Sequence, residues 1–204
     1  MSIFSKLGDK SWMTPGVVGE VRDRSRGDGP AAKTGLAFFM AVLTSMFFLF
    51  VVGYRMRMMQ NDWVPVNDPG LLWVNTGLLV LASVAMQAAK RSVLDGKIRA
   101  VRIRLTIAGA LSAGFLIGQL LAWTELRATG LYALQSPATA FFMLLTGLHA
   151  LHLFGGMLVW CRATYRAWRG MEVKRIRLSV ELCTTYWHYM LLVWLVFFTV
   201  LLMT

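Results

Sequence analysis

The sequence predicts an all-α integral membrane bundle of five transmembrane helices, with the N-terminus inside and the C-terminus outside. Three observations carry this reading. The chain is 57% hydrophobic and only 15% charged, far from the balance of a soluble domain. Five runs free of Asp, Glu, Lys and Arg each reach the roughly 20 apolar residues that a spanning helix needs. The basic residues, finally, crowd into alternate connections between those runs.

Residues 1–32 read as a polar cytoplasmic arm and residues 33–204 as the five-helix transmembrane domain. The arm has no apolar stretch of the kind a cleavable signal peptide carries. Helix one is expected to begin after Pro30 and to span Gly35 to Tyr54, with Ala37, Ala41 and Ser45 as a small-residue stripe. The turn-rich loop "NDWVPVNDPGLLW" leads into helix two, Gly70 to Ala89, and places Trp63 and Trp73 for an interfacial aromatic belt. Helix three, Leu105 to Thr124, has a second small stripe in Ala110, Gly114 and Gly118. The long run Ala128 to Cys161 makes helix four, with Pro137 suited to a first-turn position. Leu182 to Thr204 makes helix five. Trp123 and Trp160 suit the belt at other helix ends.

The formal charge of +11 raises nucleic acid as a partner, but the distribution points to a membrane. The arm holds Lys6, Lys10, Arg22, Arg24, Arg26 and Lys33. The second loop holds Lys90, Arg91, Lys97, Arg99, Arg102 and Arg104, and the fourth Arg162, Arg166, Arg169, Lys174, Arg175 and Arg177. Only Arg55, Arg57 and Arg127 fall in the first and third loops. This is the positive-inside pattern, and its basic face suits anionic headgroups. Cys161 and Cys183 lie near the cytoplasmic ends of helices four and five, where a disulfide does not form; both read as small core residues.

Ionisable groups inside a bilayer are costly and mark candidates. Here they reduce to His149 and His152 on helix four and His188 on helix five. His149 and His152, three residues apart, share a helix face, about 60° apart around the axis. They sit roughly 20 and 15 Å above Arg162, and His188 roughly 10 Å above Glu181, so His152 and His188 are expected to come near each other. Three imidazoles are a possible zinc or copper set. They are too few for a haem–copper centre with its low-spin haem, two cysteines cannot hold an iron–sulfur cluster, and no Glu-x-x-His motif is present. Without a carboxylate near the midplane a proton relay also lacks its parts. Hydrogen bonding between helices is the bland reading, and it is preferred.

The motifs also carry a resemblance. "FFMLLTGLHALHLFGGMLVW" resembles the signature helix of subunit III of the haem–copper oxidases, through His149 and His152. "ELCTTYWHYMLLVWLVFF" is similar to that family's final helix, through Glu181, Tyr186, Trp187, His188 and Trp194. Asn75, Thr76 and Ser83 match its Asn-Thr helix, and Gln119 and Trp123, with Glu125 beyond, its Gln-x-x-Glu-aromatic segment. The resemblance runs from about Gly35 to the C-terminus with the motifs in order.

It implies a non-catalytic accessory subunit of a respiratory terminal oxidase, in the five-helix bacterial form, in a multi-pass position in the bacterial inner (cytoplasmic) membrane. Its partners would be the catalytic subunit I, subunit II and phospholipids, with haem and copper in the catalytic subunit and no cofactor in this chain. The complex would be a proton-translocating cytochrome c or quinol oxidase, and the chain would support assembly and sustained turnover. Three family carboxylates are replaced, by Leu43 or Thr44 in helix one, by Ala122 and by Leu191. These changes mark a divergent member and weigh against a proton role. The alternatives are an accessory subunit of a nitric oxide reductase, then a small membrane transporter, then a three-histidine metalloenzyme.

Overall fold

The structure is a computed structural model and describes residues 24–60, 70–128, 137–171 and 173–203. Most of the arm, and Trp63, lie outside the described residues. Five helices follow in order: α1 Arg24–Met58, α2 Leu71–Leu94, α3 Ile98–Ala128, α4 Pro137–Trp168 and α5 Val173–Leu202. Each contains a segment long and apolar enough to cross a membrane, and no strand occurs among the described residues. The all-α, five-span expectation therefore holds. Two compact units are distinguished, Met1–Ala37 and Phe38–Thr204, and the helix bundle is the second.

The helices overrun the uncharged stretches. α1 starts at Arg24 and contains Pro30, where a start after Pro30 was expected; proline's φ is already helical, although an interior proline forfeits its N–H bond and crowds the carbonyl four residues back. α2 continues through Lys90 and Arg91, α3 takes in Arg99, Arg102 and Arg104, and α4 runs through Arg162 and Arg166. The expected basic loop from Arg162 to Arg177 is thus mostly helix. Arginine and lysine are good helix formers, and their long stems carry the charge outward from a helical backbone. Between α2 and α3, and at the end of α4, the chain leaves the helix in a tight turn. Gly96 (φ 72°) and Gly170 (φ 78°) take the left-handed conformation. Lys97 N donates to Ser92 O and Gly96 N to Val93 O, and Met171 and Gly170 repeat the pattern on Arg166 and Ala167. Both turns are therefore Schellman motifs, which receive the last carbonyls of the helix.

Four helices form a closed ring: α2 packs on α3 and α5, and α4 packs on α3 and α5. Its interior is filled by Trp187, Trp194, Phe115, Phe142, Leu105 and Met86, all buried. From Phe38 on, helix α1 lies beside the ring and buries only Leu43, Phe47 and Tyr54 among its large apolar side chains. Aromatic rings make most of its contacts, Phe47 edge-on to Phe197, Tyr54 edge-on to Phe141 and Phe39 stacked on Tyr186, and Thr44 adds a hydrogen bond to Tyr189. Bulky spacers of this kind hold the backbone off, so the small stripe Ala37, Ala41 and Ser45 is exposed and no close helix approach is built on it.

The second stripe holds at Gly118, while at its start the close approach falls on Gly109 and not on Ala110. Ala110 is exposed, while Gly109 and Gly118 make the close contacts. A methyl group on Gly109 would stand 2.0 Å from the Trp160 ring, and one on Gly118 would stand 2.0 Å from Asn75 Oδ1. The cysteines are both free, Cys183 buried and Cys161 exposed, so only one of them is the core residue expected. Cys161 falls on the outward side of α4, next to exposed Arg162.

Candidate functional site: a polar seam between the helices

Tryptophans turned into the ring set the chemistry of its interior. An indole N–H buried in a bilayer must find an acceptor within the protein. Trp187 Nε1 donates to Ser112 Oγ at 2.8 Å, and Ser112 donates in turn to Ala108 O at 2.8 Å. Trp194 Nε1 donates to Thr76 Oγ1 at 2.9 Å, and Thr76 donates to Leu72 O at 2.8 Å. Trp123 Nε1 donates to Thr146 Oγ1 at 3.0 Å, and Thr146 donates to Phe142 O at 2.6 Å. The device is the same each time. A serine or threonine spends its proton on its own helix four residues back, and its lone pair receives an indole from a neighbouring helix.

Trp160 uses a backbone acceptor instead, Leu105 O at 3.1 Å, with its ring seated over Gly109. Trp123 and Trp160 therefore do not serve the belt expected of them, because both indole N–H groups point into the bundle. Trp73 is 59% exposed and fits that role.

The histidines separate. His149 is fully buried, and its ring lies 5.3 Å from Trp194, 5.7 Å from Phe115 and 6.2 Å from Phe197. Neither of its ring nitrogens meets a hydrogen-bond partner among the described residues, so it packs as an aromatic. His152 donates from Nδ1 to Leu148 O at 2.7 Å, and its ring meets Phe47 at 5.4 Å. Its carbonyl receives Tyr186 Oη at 2.9 Å, with the Tyr186 ring laid on Gly156. His188 does not turn toward His152. It contacts Ser83 Oγ through Nδ1 and Gln87 Oε1 through Nε2 at 3.2 Å, both on α2. The reason is angular: Tyr186 and His188 are about 200° apart around α5, so one faces α4 and the other α2.

The other sequence-predicted residues lie in the same seam or at its ends. Buried Asn75 donates to Gln119 Oε1 at 3.5 Å. Glu181 is half-buried and pairs with Arg177 at 3.0 Å. Glu125 is exposed at the end of α3. At the positions of the replaced carboxylates, Leu43 and Ala122 are buried and Leu191 half-buried. Thr44 instead bonds Met40 O and, at 3.0 Å, Tyr189 Oη.

Several contacts were not foreseen from the sequence. Arg104 Nη1 reaches back to Ala88 O at 2.8 Å and to Ser92 Oγ, stitching α3 to α2. Arg102 donates to Ala167 O at 2.9 Å and lies over the Trp168 ring. Thr146 lies three residues before His149, and only the structure shows it receiving the Trp123 indole. An arginine one turn into a helix after a Gly-containing hairpin was the available clue.

Among the described residues, no three of His, Cys, Asp and Glu gather as a metal site would require. What the arrangement does is fix four helices against one another through directed hydrogen bonds.

Comparison with known proteins agrees with this architecture. The chain is 29% identical over 173 residues to cytochrome c oxidase subunit 3 of Thermostichus vulcanus, over 82% of this chain and 84% of that one. It is 26% identical over 173 residues to cytochrome c oxidase subunit 3 of Synechocystis sp., over 80% of this chain and 72% of that one. It is also 26% identical over 127 residues to cytochrome bo(3) ubiquinol oxidase subunit 3 of Pseudomonas putida, over 62% of this chain and 61% of that one. The cytochrome c oxidase subunit III family matches residues 31–203, a stretch that takes in the whole ring of helices and the seam between them, and the chain belongs to that family.

Proposed function

We propose that the chain is the accessory, non-catalytic subunit III of a respiratory haem–copper terminal oxidase, packing against the catalytic subunit and holding lipid beside it. The observation that carries this reading is the use made of the motif residues. Trp123, Trp187 and Trp194 each end on a hydroxyl of another helix, Tyr186 on a carbonyl, and His188 on Ser83 and Gln87. Side chains spent on packing build a scaffold. Haem and copper are assigned to the partner, because the three histidines occupy three separate surroundings that do not fit either group.

The partners are the catalytic subunit I and subunit II, in a hetero-oligomeric complex of the bacterial inner membrane. The N-terminus lies in the cytoplasm, as the basic ends of α2–α5 favour. A proton role is not part of the proposal, since Leu43 or Thr44, Ala122 and Leu191 stand where family carboxylates are expected.

The test is purification from native membranes in a gentle detergent through a tag on the N-terminal arm, with the visible spectrum recorded. Haem absorbance and a many-histidine partner chain are expected, and the haem type narrows the complex. A lone, colourless, folded chain would overturn the proposal in favour of transport or metal binding.

A further inference from the structure

Of the three histidines only His188 is exposed, and it sits on the outside of the ring in the cleft between α2 and α5. The direction of its hydrogen bonds follows from the acceptors. A carboxamide oxygen can only accept, so His188 Nε2–H donates to Gln87 Oε1. The other nitrogen of the neutral ring then accepts from the Ser83 hydroxyl. The chain of donors runs Ser83 to His188 to Gln87 and ends on the Gln87 amide. Among the described residues that amide meets no acceptor, and Gln87 is half-exposed. Lys90 lies three residues on along α2, on the same side and also half-exposed. The cluster is framed by exposed apolar side chains, Val84 on α2 and Leu192 on α5.

Gln87 and Ser83 lie roughly 4.5 and 10 Å further into the membrane than Lys90 at the helical rise. At that depth acyl chains offer no acceptor, and an uncovered amide there is costly. Donors and a positive charge inside an apolar frame are complementary to an anionic acceptor carried on an apolar surface. We infer that this α2–α5 face docks on a membrane helix of a partner subunit that presents a side-chain carboxylate to Gln87 and Lys90. The inference rests on the accessory-subunit reading and names the face that the reading leaves open.

The experiment uses the full complex in native membranes, with the photo-crosslinker p-benzoylphenylalanine placed at Val84 or Leu192, and at exposed Leu121 or Leu158 elsewhere on the ring. Adducts to another protein chain are expected from Val84 and Leu192 and not from Leu121 or Leu158. Gln87→Glu, which sets like charges together, is expected to lower recovery of the haem-bearing partner by at least about threefold, while Gln87→Lys retains it. An intact complex whose protein adducts come only from Leu121 or Leu158, or whose Val84 and Leu192 adducts are all lipid, overturns the face and leaves the accessory role standing. Equal recovery for Gln87→Glu and Gln87→Lys overturns the carboxylate. Absence of any haem-bearing partner from every preparation, the unsubstituted one included, removes the accessory role and the docking face with it.

Discussion

Ser112 joins two helices at one oxygen, and the indole it holds reaches toward a third. Its hydroxyl donates to Ala108 O within α3 and accepts the indole N–H of Trp187 from α5, both at 2.8 Å, while the Trp187 ring reaches toward Gly156 of α4. The pair is fully buried, so neither partner can turn to water if the other is removed.

This pairing makes a coupled prediction. Trp187→Phe and Ser112→Ala are each expected to destabilise the subunit by about 1–3 kcal/mol. The double variant should cost less than their sum by about 0.5–2 kcal/mol, because the bond is lost only once. Unfolding by SDS titration in mixed micelles measures all three. Strict additivity would mean that the bond contributes nothing beyond packing.

Two glycines should respond oppositely to one methyl group. Gly109→Ala drives Cβ into the Trp160 ring, which is itself fixed by its bond to Leu105 O, and a loss of about 1–3 kcal/mol is expected. Gly155 has nothing within 4 Å of the same added atom. There Gly155→Ala should gain up to about 1 kcal/mol through backbone entropy. Equal losses in the same titration would refute the close approach at Gly109.

His149 supplies a test of scaffold against chemistry. Because its ring packs among Phe115, Trp194 and Phe197 with both nitrogens unpartnered, His149→Phe is expected to keep stability within about 1.5 kcal/mol. His149→Ala opens a cavity and should cost about 2–5 kcal/mol. The haem spectrum of the complex should be the same in both. A His149→Phe complex that lost bound metal and turnover together would contradict the scaffold reading.

Arg104 anchors α3 on the end of α2 through Ala88 O and Ser92 Oγ. Arg104→Leu should therefore lower the thermal midpoint of the detergent-solubilised subunit, by about 1–3 kcal/mol in free-energy terms. Arg104→Lys should recover only part of this, since Nη1 alone serves both acceptors from a planar, weakly hydrated group, whereas the ammonium is strongly hydrated and sits on a flexible stem. Full recovery by lysine would reduce the contact to simple charge.

The number and type of the helices were legible because apolar length is a local property. A run such as Gly70 to Ala89 can satisfy its backbone in a bilayer only as a helix, whatever its neighbours are. Helix ends were less legible, since charge marks the membrane boundary and not the end of hydrogen bonding. Lys90, Arg104 and Arg162 all stayed helical for that reason. The candidate site was half legible: the motif positions stood out, but their partners did not.

By itself the sequence determined an all-helical membrane chain with five spans, the basic ends of those spans, and the motif residues that tie it to its family, because composition, length and local pattern are written along one dimension. Only the tertiary structure decided which hydroxyl receives which indole, that His149 packs as an aromatic while His188 turns to α2, and that Gly109 makes the close approach while Ala110 faces outward. These depend on the rotation of each helix about its axis, where one residue of register turns a side chain by about 100°. That angle is set jointly by the helices that surround it, and no single stretch of the chain contains it.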